Sequence, residues 1–366
     1  MLSRKQVIQA IVNPGSTQNF SLRQWNELMI VLRHEKLLAR FYLLLDECQL
    51  TELLPVQLKR HCENAKTLAA KQRTVVIGEV SRLKVTFARE KYPLLFLKGA
   101  AYIICNSRAG LGRVFSDIDV LVPKHVIDNA EGRLAINGWL SKEIDDYDEK
   151  YYRQWSHEIP PMQHGIRGTL LDLHHNLVPP VSGKAIEMER LLEIAGTDVD
   201  GVMILNEAGM FYHSAIHLFF NDDYSAAMRD MTDLYLMVKQ QPDSFYQSLF
   251  ELHALSGFEK ESCIALRFLQ IDYNVELPDW VSERVTCVLK SIGKWELSAL
   301  RYASGPKHSL LAHGEYKVPT CFAEIRGHFL KMPLHILVFH SSMKLFRAVT
   351  KLLFGEHIFT KATPPN

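Results

Sequence analysis

The 366-residue chain is 47% hydrophobic and 23% charged, the ordinary make-up of a folded globular protein with ample material for a core. Its formal net charge of +1 supplies no overall field, which argues against long nucleic acid as a partner, because such binding leans on phosphate neutralisation. The scattered cysteines form no C-x-x-C pair, which excludes a zinc knuckle or dithiol site, and the N-terminus has no apolar stretch of signal-peptide length, so a reduced cytoplasmic setting is expected.

Residues 1–90 read as an N-terminal helical region. LRQWNELMIVLRHEKLLARFYLLL (22–45) and AKTLAAKQRTVVIGEVSRLKVTFAREK (65–91) both place apolar residues three and four apart. The character changes at Pro93. LLFLK (94–98) and IDVLV (118–122) are short apolar runs that suit buried strands, with a short helical segment between them. Gly110-x-Gly112 lacks the third glycine of a dinucleotide fingerprint and is expected to be a turn. Residues 124–139 are periodic and helical, with Gly138 placed for a C-terminal cap. TLLDLHHNL (169–177) returns as a strand, and Gly165 and Gly168 bracket a hairpin turn before it. Residues 91–180 therefore read as a small mixed sheet with helices. Pro179-Pro180 and Ser182-Gly183 close this unit, and residues 181–366 read as a C-terminal helical domain.

Two features of that last region carry charge or ligand chemistry. His213 and His217 lie four apart, on one helix face, but Ser214 stands where a zinc protease has its glutamate. They and Asp230 and Asp233 are expected to line a sheet–helix interface, with Asp233 pairing with a core arginine. In residues 331–355, Lys344, Arg347 and Lys351 lie opposite Leu345, Phe346, Val349, Leu352 and Leu353. A helix packed on its own domain with a solvated basic face is the main expectation. Peripheral contact with an anionic membrane is the alternative.

The stretch 94–122 holds the sharpest chemical signal. Asp117 and Asp119, one residue apart on a strand, point to one face roughly 6.5–7 Å apart along the backbone. Bare carboxylates placed so repel, and a hard divalent cation removes that cost. Asp172 is a candidate third carboxylate, with His174 on its face. Three carboxylates on adjacent strands suit two cations about 3.5–4 Å apart, the spacing used in phosphoryl chemistry. Lys98-Gly99 follows an apolar strand, where glycine lets backbone approach a ligand closely and a helix start offers free N–H groups to phosphate. His157-Glu158 precedes Pro160-Pro161; Glu158 is a candidate base near an acceptor, against a structural hydrogen-bonding role.

LKGAAY, GRVFSDIDVLV and LDLHH together resemble the nucleotidyltransferase superfamily of the polymerase-beta type, and more narrowly its bacterial family of uncharacterised nucleotidyltransferases. YYRQWSHEIPP (151–161), AIHLFF (215–220) and RDMTDLYLMV (229–238) are similar to the narrower family. The resemblance implies an α+β fold, a small mixed-sheet core flanked by helical regions. It implies Mg²⁺, two ions, with Mn²⁺ as a substitute, held by Asp117, Asp119 and Asp172. It implies a nucleoside triphosphate whose nucleoside monophosphate passes to an acceptor hydroxyl of a protein, metabolite or sugar, releasing pyrophosphate. Lys98, Gly99, Arg113 and Ser116 would hold the nucleotide, and Glu158, His174, His217 and Asp233 are accessory candidates. One departure stands out: Ala100 occupies a turn position where active members of the superfamily usually carry serine. Two other functions compete with transfer. One is a binding module of the same fold without turnover. The other is a metal-dependent phosphohydrolase using the histidines.

Overall fold

The central strands are short and buried on both faces, which is why they read in the sequence as apolar runs without alternation. The computed structural model describes residues 1–142, 144–312 and 317–355. Among them, β1 (Leu95–Phe96), β2 (Ile118–Leu121), β3 (Trp139–Ser141), β4 (Met162–His164), β5 (Leu170–His174), β6 (Gly196–Val199) and β7 (Val202–Leu205) form one mixed sheet. Its order is β3-β4-β5-β2-β1-β7-β6. β2 runs parallel to β5 and antiparallel to β1, so the two central apolar runs lie side by side. The chain is thus α+β, a mixed sheet with helical flanks.

The sheet takes its β6–β7 hairpin from residues expected to belong to a helical domain. The reason is local. Asp200 and Gly201 both adopt positive φ between Val199 and Val202, and the Asp198 carboxylate accepts a bond from the Gly201 N–H at 2.8 Å. Asp-Gly between apolar residues is a strong hairpin signal. β7 then pairs in parallel with β1 and extends the sheet.

Before the sheet, Ser21 and Gln24 form a capping box that starts the Leu22–His34 helix. The Val56–Phe87 helix runs past the sheet and is tied to it by polar contacts. Gln72 accepts from the Phe115 N–H at 2.9 Å, and the buried Glu79 takes Arg167 of the β4–β5 turn in a two-pronged pair. After the sheet, the Glu207–Phe219 helix is capped by Asn206 and buried on nearly every side. The Ala227–Val238 helix packs beside it. A single contiguous apolar core runs from Leu2 through the sheet to Ala323.

Candidate functional site

The parallel pairing of β2 with β5 sets Asp119 directly opposite Asp172. Neighbouring strands are about 4.8 Å apart, so the two carboxylates are forced together on one face. Asp117 stands just before β2, at the mouth of the strand. From the other side comes the turn after β1. The Leu97 N–H donates to the Asp119 carbonyl at 3.0 Å, and the next residue, Lys98, adopts φ +44°. That left-handed conformation is costly for a lysine and begins the Lys98–Ile104 helix. It accompanies a 2.6 Å contact between Lys98 Nζ and Asp119 Oδ1. Gly99 admits no side chain. A Cβ there would lie 2.6 Å from the Phe115 ring and 2.9 Å from Arg113 Nε.

The charges are unevenly shared. Asp119 Oδ1 receives both Lys98 Nζ and, at 3.0 Å, His174 Nε2. Burial alone would raise this carboxyl, but Lys98 and His174 hold it well below the usual carboxylate range. Among the described residues, Asp117 and Asp172 have no such partners. Burial and then the charge of Asp119 push Asp117 up, while burial, Glu158 and the other aspartates push Asp172 up to about 7. The cluster therefore carries more negative charge than Lys98 and His174 neutralise. Hard oxygen donors, adjacent and mutually repelling, are what a divalent cation such as Mg²⁺ relieves, and these residues fit one.

The tightest group of ligand atoms among the described residues is a different one: His157, Glu158 and His174, within 4.8 Å of one another. Its geometry argues against a metal. His174 Nε2 faces Asp119 at 3.0 Å and its Nδ1 faces Glu158 Oε2 at 3.4 Å. Burial opposes a charge on this ring, but the two carboxylates raise its pKa above the ordinary value. Both ring nitrogens are thus already turned to carboxylates. We read His174 as the clamp that orients Asp119, with Glu158 behind it.

These groups open into a cavity of about 430 Å³. Lys98, Gly99, Arg113, Ser116, Asp117, Asp119, Glu158, Asp172, His217 and Asp233 line it, and His174 reaches it through Asp119. His217 is in the wall. Burial and Lys98 lower its pKa to about 3, so it is neutral near pH 7. His213 is buried, its ring 6.4 Å from that of His217, and no third metal-binding side chain completes the pair among the described residues. Arg113 was expected to steady a polyphosphate. Instead it shares the Asp233 carboxylate with Arg40, whose Nη1 lies 2.7 Å away, so its charge is met within the core.

Other cations in the wall are not apparent from the sequence. Lys36, in the turn after the first long helix, places Nζ 3.4 Å from Ser116 Oγ. Arg229 lies in the wall beside Asp230, and Lys331 enters from the C-terminal region, bonded to Asn221 and Asp222. No local motif marks Lys36 or Lys331; only the folded chain brings them here. Arg229 opens RDMTDLYLMV and could have been weighed with it. Tyr151 and Tyr152, from the Asp146–Trp155 helix, supply aromatic surface.

The family described as "Uncharacterised nucleotidyltransferase" matches residues 21–273 of the chain. The matched span holds the whole sheet and all the strand and turn residues of the cavity wall. No curated protein and no solved structure matches the chain.

Proposed function

Because the chain belongs to the family of uncharacterised nucleotidyltransferases, we propose that it moves a nucleoside monophosphate from a nucleoside triphosphate to an acceptor hydroxyl. The observation that carries this reading is Asp119 and Asp172 in direct register, facing the Gly99 turn across one cavity. Asp117, Asp119 and Asp172 are the residues that would hold Mg²⁺. The cation supplies charge neutralisation for the polyphosphate and lowers the pKa of oxygens bound to it. Lys36, Ser116 and Arg229, all in the cavity wall, would receive phosphate oxygens.

The remaining work is positioning and proton transfer. Asp172, in register beside Asp119, suits a base that takes the acceptor's hydroxyl proton on its carboxylate. The acceptor oxygen then forms a bond to the α-phosphorus, the bond to the bridging β-oxygen breaks, and pyrophosphate leaves with that electron pair. His174 lies between Glu158 and Asp119 and fixes the Asp119 carboxylate. Tyr151 and Tyr152 form the aromatic part of the wall on which an acceptor or base can stack.

One observation favours a binding module instead. Lys98 already neutralises Asp119, and Ala100 offers no hydroxyl to a phosphate. The two readings separate in one assay. The protein is incubated with Mg²⁺, a size-fractionated cell extract and each triphosphate labelled at the α-phosphate. Transfer predicts label joined to an acceptor with pyrophosphate release, lost in Asp119→Asn. Label joined to nothing, with triphosphate intact, would contradict it. Release of inorganic phosphate that depends on His217 would favour the phosphohydrolase.

A further inference from the structure

One side of the cavity is finished by a part of the chain that the family match does not reach. The match ends at residue 273, and the Lys317–Lys331 helix lies beyond it. This helix grips the segment that follows the Glu207–Phe219 helix at successive points. Arg326 Nη1 donates at 2.7 Å to the Phe219 carbonyl, one of the last of that helix. Gly327 packs directly on backbone: a Cβ there would collide with the Asn221 carbonyl and lie 2.6 Å from Asp222 Cα. His328 Nδ1 lies 3.0 Å from Asp222 Oδ2. Lys331 Nζ, its side chain only 12% exposed, donates to Asn221 Oδ1 at 2.7 Å and to Asp222 Oδ1 at 2.6 Å. Burial would raise the Asp222 carboxyl, but His328 and Lys331 hold it well below the usual carboxylate range, so it is charged at neutral pH.

The gripped residues face the cavity: Asn221, Asp222 and Asp223 line it together with Lys331. They stand on the β5 side. A small crevice runs between Lys331, Asn221, His157 and His217, and none of Lys36, Ser116 or Arg229, the residues assigned to phosphate, borders it. His157 directly precedes Glu158, which bridges to His174 of β5. The C-terminal region also holds the tyrosine wall of this side. In the Leu334–Phe354 helix, Arg347 Nη2 lies 2.6 Å from Asp145 and Lys344 Nζ lies 2.5 Å from Asp148, at the start of the helix that carries Tyr151 and Tyr152. Its basic residues thus turn inward, the reverse of the solvated basic face expected from the sequence. The His340 ring lies 4.7 Å from that of Tyr151. With phosphate at the other end, the β5 side, beside the candidate base Asp172, is left for the acceptor. Given the transfer proposed above, on which this rests, we infer that Lys331 is a positioning residue for the acceptor: through Asn221 and Asp222 it fixes the loop against which the acceptor binds. A loop held in place before binding spares the acceptor the cost of ordering it. Lys331 therefore acts on acceptor affinity, while the aspartates that serve the chemical step are untouched.

The test uses the full chain, Mg²⁺, the α-labelled triphosphate that supports transfer and serial dilutions of the extract fraction that accepts label. In Lys331→Met the amount of fraction giving half-maximal labelling should rise at least about tenfold, while the saturated rate changes by less than about twofold. Lys331→Arg keeps a cation with N–H donors and should recover most of that loss. Asp222→Asn, close to isosteric, should move the dilution curve in the same direction, so the outcome does not hang on one variant's folding. The rise in thermal midpoint with Mg²⁺ and the triphosphate should be equal in wild type and all three variants, because the phosphate side is unchanged. An unmoved dilution curve in Lys331→Met and Asp222→Asn would overturn the inference. So would a weakened triphosphate response with an unmoved curve, which would give this wall to the nucleotide. A wild type that labels nothing removes the transfer reading and this inference with it, whereas labelling by the wild type with unmoved curves in the variants removes this inference alone.

Discussion

Asp172 carries the most testable chemistry at the scale of single residues. Its carboxyl is held neutral to about 7 in the folded chain, against 3.8 for an ordinary aspartate. Between those values the unfolded chain has lost the proton that the folded chain keeps, so the contribution of Asp172 to metal-free stability falls as pH rises from about 4 to about 7. Asp172→Asn removes this repulsion. It should raise the metal-free stability near pH 7 by roughly 1 kcal/mol, a discounted figure because the side chain is partly exposed, with a gain over the wild type that grows from pH 4 to pH 7. Mg²⁺ should stabilise the wild type more as pH rises through this window, because ligands bind deprotonated. Thermal midpoints across pH, with and without Mg²⁺, check all three. A midpoint difference between Asp172→Asn and the wild type that does not grow from pH 4 to pH 7 without metal would contradict the account. Of these details, the sequence shows the acids and their shared face. It does not show that Lys98 and His174 both take Asp119, because that depends on a lysine in a left-handed turn and on the strand pairing.

Among the elements, Asp233 joins three segments. It lies on the Ala227–Val238 helix and receives Arg40 from the Leu38–Glu47 helix and Arg113 from the turn after Gly112. That turn is close. Gly112, at φ +59°, would place a Cβ 2.6 Å from the Arg40 backbone nitrogen. Asp233→Ala leaves two buried guanidiniums without their carboxylate, and removing one partner of a buried ion pair costs about 3–5 kcal/mol. Urea unfolding should show a loss of that order, with Asp233→Asn less affected. A loss under about 1 kcal/mol would mean the arginines find other partners. The pairing of Asp233 with a core arginine is foreseeable from a lone acid on an apolar helix. The use of Arg113 there, rather than on phosphate, is not, because its partners Arg40 and Asp233 are distant in sequence. The β6–β7 hairpin is different. Its Asp-Gly signal stands in the sequence and is outweighed there by the helical periodicity that follows.

For the whole molecule, the N-terminal helices, the sheet and the C-terminal helices share one core. The cavity draws on each of these regions: Lys36 from before the sheet, the aspartates from within it, Arg229 and Lys331 from after it. The strands β1, β2 and β5, the flanking helices, the α+β class and the acidic cluster are legible from apolar period and motif. The closing of distant segments over the cluster is not, because no local pattern encodes which helix covers which face. The central claim is that this closed cavity binds a nucleoside triphosphate through a cation on Asp117, Asp119 and Asp172. The direct measurement is the thermal midpoint of the wild type and of Asp117→Ala/Asp119→Ala with Mg²⁺ and each of the common nucleoside triphosphates. A ligand at a hundred times its dissociation constant adds about 2.7 kcal/mol, enough to move a midpoint visibly. The account predicts a Mg²⁺-dependent rise with at least one triphosphate in the wild type and none in the variant. A folded wild type indifferent to every triphosphate, or a variant that responds equally, would contradict it.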